Sequence, residues 1–184
     1  MLFRSHKADT LSYAFRFNAD GFTDMAIKKP AHPGRVGGKI NPVVTVVHTT
    51  DMMPNTFKAL LDSWTGKAGN GACAHFIIDR DGKVYQLVSI FRNGNHAGGP
   101  IHGNFKLVSG ELVHPNLVSV GVELHAGGLL KGKPGAWVHP DSGLRVDDDD
   151  VIVDVKGRGW HRVTAAQLGA LDALLNSQIG RAHV

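Results

Sequence analysis

Cysteine is almost absent from this sequence, because Cys73 is the only one among 184 residues. An intramolecular disulfide is therefore excluded, and the fold cannot depend on an oxidising compartment. The sequence also lacks an apolar run long enough to span a bilayer, and its first residues mix charged and polar side chains where a secretory signal needs an unbroken apolar stretch. These absences predict a protein without a signal peptide, cytoplasmic in the producing cell.

Excess charge is small. The net charge of +4 and the pI near 9.3 favour an anionic polymer only weakly. The loose basic segment around Arg35 has no interleaved aromatic residues and no nucleic-acid motif, so neither nucleic acid nor a membrane span is expected as a partner. With 42% hydrophobic and 20% charged residues, the chain has the composition of one globular domain, which we expect to be monomeric.

The first strong apolar run marks where the core begins. Residues 1–42 are rich in glycine, proline and charge, and they are interpreted as an N-terminal extension. The β-branched run from Val43 to Val47 then predicts a central strand that is covered on both faces and ends at His48.

A helix and a hairpin are predicted next. Apolar residues at i, i+3, i+4 and i+7 between Phe57 and Trp64 form one stripe, which Pro54 can start and Gly66 can end. Two apolar runs then flank Asp81 and Gly82, a pair that tolerates positive φ and so indicates a hairpin turn.

The second half of the chain adds a strand and a helix. Residues 117–124 alternate valines with Ser119, Gly121 and Glu123, which predicts an apolar face and a small, open face that carries a carboxylate. Residues 126–160 are interpreted as a hairpin-bearing insertion. A T-x-x-Q capping box then precedes a helix with a leucine stripe: Thr164, Gln167, Leu168, Leu171, Leu174 and Leu175. The fold class is α/β, with a mixed central β-sheet flanked by α-helices.

Four segments in a fixed order resemble one enzyme family. They are VVTVVHTT, ACAHFIIDRDGKVYQLV, NGNHAGG and NLVSVGVEL, followed by the T-x-A-Q helix. In this order the chain resembles the zinc-dependent N-acetylmuramoyl-L-alanine amidases, which include phage lysozyme-amidases, cell-wall-recycling amidases and peptidoglycan recognition proteins. The resemblance implies the peptidoglycan-recognition-protein-like amidase fold over residues 43–178.

The resemblance also implies roles for His48 and Glu123. His48 stands where the family has a zinc ligand, and a zinc ion that keeps one position open for water would explain amide hydrolysis. Glu123 matches the general base and proton shuttle of the recycling-type members, and a salt bridge at the strand's exit is the structural alternative. Phage-type members have a tyrosine where this chain has Ala74, so proton transfer would depend more on Glu123.

Other candidate residues flank the hairpin. His96 matches a histidine that lies near the substrate in relatives, and Asn95 replaces the usual tryptophan before it. Substrate contact and loop-fixing hydrogen bonds are both open for His96. His75 is expected to be structural. Cys73 is interpreted as a buried thiol rather than a nucleophile, because the sequence shows no arrangement of residues that would activate its thiol.

The family pattern breaks at the C-terminus. Family members continue to a second ligand histidine and then to an aspartate or cysteine ligand with a nearby lysine. His183 follows Gln167 by 16 positions, too few for a full helix and a returning strand, so it resembles the second ligand only superficially. We expect Ile179 to Val184 to be a non-native tail of a truncated domain.

The leading function is therefore a peptidoglycan hydrolase. It would use zinc-activated water to cleave the amide bond between N-acetylmuramic acid and L-alanine, after release to the cell wall or on recycled muropeptides. The alternative is a non-catalytic peptidoglycan-binding module, and a metal-free hydrolase that uses Cys73 is a third possibility. Because two ligands are missing from the pattern, we expect this truncated chain to be inactive.

Overall fold

The computed structural model describes residues 15–66, 71–98 and 105–179. In chain order, the strands are β1 (Ile27–Lys28), β2 (Val36–Lys39), β3 (Val44–Thr49), β4 (Phe76–Ile78), β5 (Val84–Gln86), β6 (Arg92–Gly94), β7 (Phe105–Lys106), β8 (Leu112–Val113), β9 (Ser119–Leu124), β10 (Trp137–Val138), β11 (Arg145–Val146), β12 (Val151–Val153) and β13 (Gly159–His161). The α-helices are α1 (Phe57–Thr65) and α2 (Ala165–Ile179).

Five of these strands form the central sheet, in the order β1-β5-β4-β9-β3. Strands β3, β9 and β4 run parallel to one another, β5 is antiparallel to β4, and β1 is parallel to β5. The predicted mixed sheet is confirmed. Strands β4 and β5 form the predicted hairpin, and Gly82 in its turn has a φ of +83°.

The position of β3 differs from the prediction. Within the described ranges β3 is the outer strand of the sheet, and Val43 and Val47 are 67% and 41% exposed. The prediction of a central strand covered on both faces is therefore wrong for this structure. A β-branched run indicates extended backbone, but burial depends on which other strands and helices lie beside it.

Each face of the sheet packs against one helix. On one face, Val122 and Leu124 pack with Phe76, Ile78 and Leu174 of α2. On the other face, α1 packs against the sheet through a second cluster that includes Leu60, Cys73, Ile77, Leu87 and Val88. The predicted alternation along β9 is confirmed, because its valines face α2 while Ser119, Gly121 and Glu123 lie on the α1 side.

Both helices begin where the sequence predicts. Pro54 opens a short 3-10 turn that leads into α1, and the helix ends before Gly66. At the start of α2, the Gln167 amide donates to Thr164 Oγ1 at 3.1 Å, and the Thr164 amide donates to Gln167 Oε1 at 3.0 Å. The capping box is therefore confirmed. Leu168, in the predicted apolar stripe, is 53% exposed, because the stripe needs a covering partner along its whole length and has none there.

The described part of the N-terminal region packs on the domain. Phe15 and Phe17 are buried in the core that faces α2. Strand β1 extends the central sheet, and β2 pairs with β6. Residues 15–42, interpreted as an extension from sequence, thus contribute side chains to the core and strands to the sheets.

The insertion at residues 126–160 carries two hairpins, β10-β11 and β12-β13, as predicted. It has a small core of its own, made by Leu130, Trp137, Val146 and Val151, and Met53 packs against that core. In the described ranges, no helix is long and apolar enough to cross a membrane. Residues 180–184, which include His183, lie outside the described residues.

Candidate active site

The candidate site lies where the parallel strands β3 and β9 end. His48 and Glu123 are register partners on these neighbouring strands, so both side chains leave the same face of the sheet. This is the face that carries Ser119 and Gly121. Sequence alternation alone places Glu123 on it, and strand pairing brings His48 beside Glu123.

Glu123 carries a buried carboxyl oxygen that has no hydrogen-bond partner among the described residues. The residue is 9% exposed, and its Oε2 atom makes no hydrogen bond to any described residue. Burial raises the pKa of Glu123 to about 8, and the nearby negative charge of Asp51 adds to the rise. Across the described residues Glu123 forms no ion pair, so the salt-bridge alternative finds no support. A buried, unpaired carboxyl is costly unless it is used.

His48 is half-buried at the end of β3. Burial lowers its pKa, and Asp51 acts in the opposite direction. The imidazole is therefore neutral at neutral pH, which is the form that binds metals. Its Nε2 atom lies 3.5 Å from Nδ1 of His96.

His96 covers the face of β9 that the alternation predicted to be open. Ser119 Oγ donates to the Pro115 carbonyl at 2.7 Å, so it accepts from His96 Nε2 at 3.0 Å. The Nδ1 atom of His96 consequently carries no proton and turns its lone pair toward His48. Burial, and after it the charges of the neighbouring histidines, lower the pKa of His96 to about 3, so the ring is neutral.

Two neighbours hold the His96 ring in place. A Cβ atom on Gly121 would overlap the ring, so only glycine fits beneath it. Asn116 donates to Asn95 Oδ1 and to the Ala97 carbonyl, each at 3.0 Å, and accepts from the Ala97 amide at 2.8 Å. Asn116 therefore fixes both sides of His96, while Asn95 lies exposed at the rim. Substrate binding by His96 and Asn95 stays a prediction.

Asp51 belongs to the site, although sequence reasoning missed it. Its backbone has a φ of +51°, and no other non-glycine residue in the described ranges has a positive φ. Its Oδ1 atom accepts from the Thr49 hydroxyl at 2.8 Å, and its charge acts on both His48 and Glu123. The only signal in the sequence is an aspartate that follows the strand-end histidine by three positions.

His75 and Cys73 are structural. The His75 ring is fully buried, accepts from the Gly121 amide at 2.9 Å and donates to the Arg92 carbonyl at 2.8 Å. Burial raises the pKa of the Cys73 thiol to about 12, which keeps it protonated and disfavours a nucleophilic role.

A metal ion would find only part of a ligand set here. His48 offers a neutral imidazole nitrogen, which fits zinc. In residues 15–66, 71–98 and 105–179, however, no group of three histidine, cysteine or acidic side chains could hold a metal ion. Of the other histidines, His125 Nε2 lies 3.3 Å from the Pro54 carbonyl and His161 accepts from the Gly127 amide at 2.8 Å. The described residues therefore fit one zinc ligand and do not complete a site.

Comparison with known proteins points to one family. Residues 38–184 match the sequence profile of a family described as N-acetylmuramoyl-L-alanine amidase. Among solved structures, a selenomethionine derivative of AmpD is 21% identical and has a TM-score of 0.48, with 90% of this chain and 80% of that chain covered. The endolysin N-acetylmuramoyl-L-alanine amidase LysCS from Clostridium intestinale is 18% identical, with a TM-score of 0.44 and coverages of 89% and 79%. No curated protein matches significantly.

Proposed function

Because the chain belongs to the N-acetylmuramoyl-L-alanine amidase family, which its residues 38–184 match, we propose that it hydrolyses the amide bond between N-acetylmuramic acid and L-alanine of the peptidoglycan stem peptide. The observation that carries this proposal is the buried carboxyl of Glu123, unpartnered among the described residues, next to His48. Buried acids in such surroundings are typical of catalytic sites.

We propose zinc as the cofactor. Members of this family are generally zinc-dependent, and His48 is the side chain that would bind the metal through an unprotonated ring nitrogen. When bound, zinc would lower the pKa of a coordinated water and polarise the scissile carbonyl. Since the described residues supply one clear ligand, we expect zinc binding to be weak and amidase activity of the 184-residue chain to be very low.

Glu123 would move the proton in this reaction. With a pKa of about 8, both its protonated and ionised forms are populated near neutral pH. The ionised form takes a proton from the attacking water as the new C–O bond forms. The protonated form then gives it to the L-alanine nitrogen as the C–N bond breaks. One carboxyl group thus serves as base and acid in turn.

His96 and Asn95 would contact the substrate. His96 is neutral and held by Ser119, so it offers a ring of fixed orientation beside His48. Asn95 lies exposed next to it, where its Oδ1 atom accepts from Asn116 and its amide nitrogen donates to the Gly71 carbonyl at 3.5 Å. We propose that these two side chains bind the sugar or the first peptide unit next to the scissile bond.

The test is hydrolysis of cell walls with and without the Glu123 carboxylate. The chain has two glutamates, and the other, Glu111, is exposed, so Glu111→Gln is a matched control. With added zinc, we expect Glu123→Gln to keep peptidoglycan binding but lose at least about a hundredfold of the release of free L-alanine N-termini. Equal release by both variants would remove Glu123 from the mechanism.

A non-catalytic peptidoglycan-binding module is the second candidate, and the incomplete ligand set within the described residues favours it. The same assay separates the two functions. Saturable binding to purified cell walls without peptide release, even at high zinc, would support the module. Release of stem peptides would support the enzyme.

The location of the substrate is a further part of the proposal. We propose a monomer that is cytoplasmic in the producing cell and acts either on the cell wall after release or on recycled muropeptides. Turnover of intact cell walls compared with soluble muropeptides distinguishes these two routes.

A further inference from the structure

A loop of unusual backbone geometry borders the site. Residues 50–53, here named the Asp51 loop, follow β3 directly and continue its pairing with the chain beyond β9. The Thr50 amide donates to the Leu124 carbonyl at 3.0 Å, and the Met52 amide donates to the Ala126 carbonyl at 3.2 Å. Between them, Asp51 adopts a left-handed backbone conformation, with φ at +51°. Such a conformation costs free energy in a residue other than glycine and persists only where neighbours enforce it.

The insertion supplies the contacts that enforce it. The buried His139 Nδ1 atom accepts from the Ser142 amide at 3.2 Å, so its Nε2 atom carries the proton and donates to the Asp51 carbonyl at 2.9 Å. On the other side, Gly128 leaves space for the Asp51 carboxylate, because a Cβ atom there would overlap it. The insertion thus holds the loop at its backbone and leaves room for its carboxylate.

The small core of the insertion supports the hydrogen bond between His139 and Asp51. His139 directly follows β10, whose Trp137 is almost fully buried in the small core of the insertion. Met53, the last residue of the Asp51 loop, packs against that same core. The insertion therefore grips the loop at two points, one polar and one apolar, and both lie within a few residues of His48.

The position of Asp51 matters for the reaction because its charge faces both reacting groups. It acts on Glu123 and on His48 across the end of the sheet. The Thr49 hydroxyl holds the Asp51 carboxylate, and His139 of the insertion holds the backbone that carries it. If the loop relaxed, this charge would move and the environment for proton transfer would change.

We propose that the insertion is a clamp for the active site, in which His139 is a positioning residue that fixes the Asp51 loop beside His48 and Glu123. This inference rests on the proposed function and adds a role for a segment that contains none of the site residues. The role is distinct from general stability, because it depends on one hydrogen bond that a packing change elsewhere in the insertion leaves intact.

The test compares two substitutions in the insertion of the 184-residue chain. His139→Phe keeps a ring but removes the donor to Asp51, and His139→Gln restores a donor. Val146→Ala is the matched control, because it loosens the small core against which Met53 packs but leaves the hydrogen bond from His139 to the Asp51 carbonyl in place. For each variant, hydrogen exchange of the Thr50 and Met52 amides and kcat and KM for zinc-supplemented cell-wall hydrolysis are measured.

We expect His139→Phe to speed exchange of both amides by about tenfold or more and to lower kcat by a similar factor with little change in KM. His139→Gln should restore part of the slow amide exchange and part of kcat. Val146→Ala should lower the melting temperature but change neither the exchange of these amides nor kcat. If His139→Phe and Val146→Ala change amide exchange and kcat equally, the clamp proposal is wrong. If the unsubstituted chain releases no peptide even at high zinc, the binding module replaces the amidase as its function, and the exchange comparison still decides for or against the clamp.

Discussion

His48 and Glu123 show how much a single residue's surroundings decide its chemistry. Their side chains lie side by side at the ends of parallel strands, yet burial lowers the pKa of His48 and raises the pKa of Glu123. Both shifts favour the neutral form, because transfer from water penalises charge of either sign. At neutral pH the pair therefore combines a neutral imidazole with a carboxyl group that can exchange a proton.

Zinc binding by the 184-residue chain should be weak and should depend on His48. One imidazole and no complete cluster in the described residues cannot hold the metal tightly. We expect His48→Ala to abolish what binding there is, measured by calorimetric titration with zinc, and His32→Ala, near the surface, to leave it unchanged. Tight, stoichiometric zinc in the purified chain would show that its other ligands lie outside the described residues.

The buried His75 should make stability depend on pH. Burial lowers its pKa to about 4, below the unfolded value of about 6.5, so between these values the unfolded chain binds more protons than the folded one. This contribution is complete above about pH 6.5 and is lost as the pH falls toward 4. We expect His75 to contribute about 2 kcal/mol to the loss between pH 7.5 and pH 5 in urea unfolding, and His96 and His161, whose pKa values are also lowered, to add to that loss.

Substitution of His75 separates this effect from other titrations. His75→Gln should destabilise the protein at pH 7.5, because the Gly121 amide loses its acceptor, but should remove most of that 2 kcal/mol of pH dependence. A pH dependence that is the same in both proteins would assign it to other groups.

Among the secondary-structure elements, α2 is hydrogen-bonded to the sheet through its first turn. Gln167 completes the capping box and also donates from Nε2 to the Ile78 and His125 carbonyls, at 3.0 and 3.2 Å. These two carbonyls belong to the ends of β4 and β9. One fully buried side chain therefore ties the helix start to two strands of the central sheet.

Substitutions in this turn should rank by the number of partners they leave unsatisfied. Thr164→Ala should cost about 1 kcal/mol, as a lost N-cap does. Gln167→Ala should cost about 2 to 3 kcal/mol, because the Ile78 and His125 carbonyls each lose a donor and the Thr164 amide loses its acceptor. Leu168→Ala, at an exposed position of the same helix, should be nearly neutral. Denaturant unfolding of the three variants checks this order, and equal costs for Thr164 and Gln167 would contradict it.

At the scale of the whole domain, the β3 edge of the central sheet has no neighbouring strand within the described ranges. In the described ranges no strand pairs with the outer side of β3, and Val47 on that strand is exposed. Unpaired edges of this kind template association with other chains unless charge or cover blocks them.

We therefore expect the 184-residue chain to be monomeric when dilute and to associate as its concentration rises. Val47→Lys should reduce this association in light-scattering measurements, because an edge charge opposes pairing. Ile152→Lys, a similar change at an exposed position of the insertion, is the control. Equal reductions by both variants would mean that surface charge in general, rather than the β3 edge, controls association.

Much of the molecule follows from the sequence because its determinants are local. The Asp81-Gly82 turn, the alternation along β9 and the Thr164 capping box each depend on residues a few positions apart, and all three are confirmed. The ordered motifs identified the amidase family, which the match over residues 38–184 confirms. The roles of His48, Glu123, His96 and Asn95 stay predictions.

Other features were decided only in the tertiary structure. The edge position of β3 depends on which strands pair with it, and the His96 ring over Gly121 replaces the open face that alternation suggested. The link between Asp51 and His139 joins residues 88 positions apart. No local pattern encodes such a contact, because its free energy comes from groups that meet only when distant segments pack together.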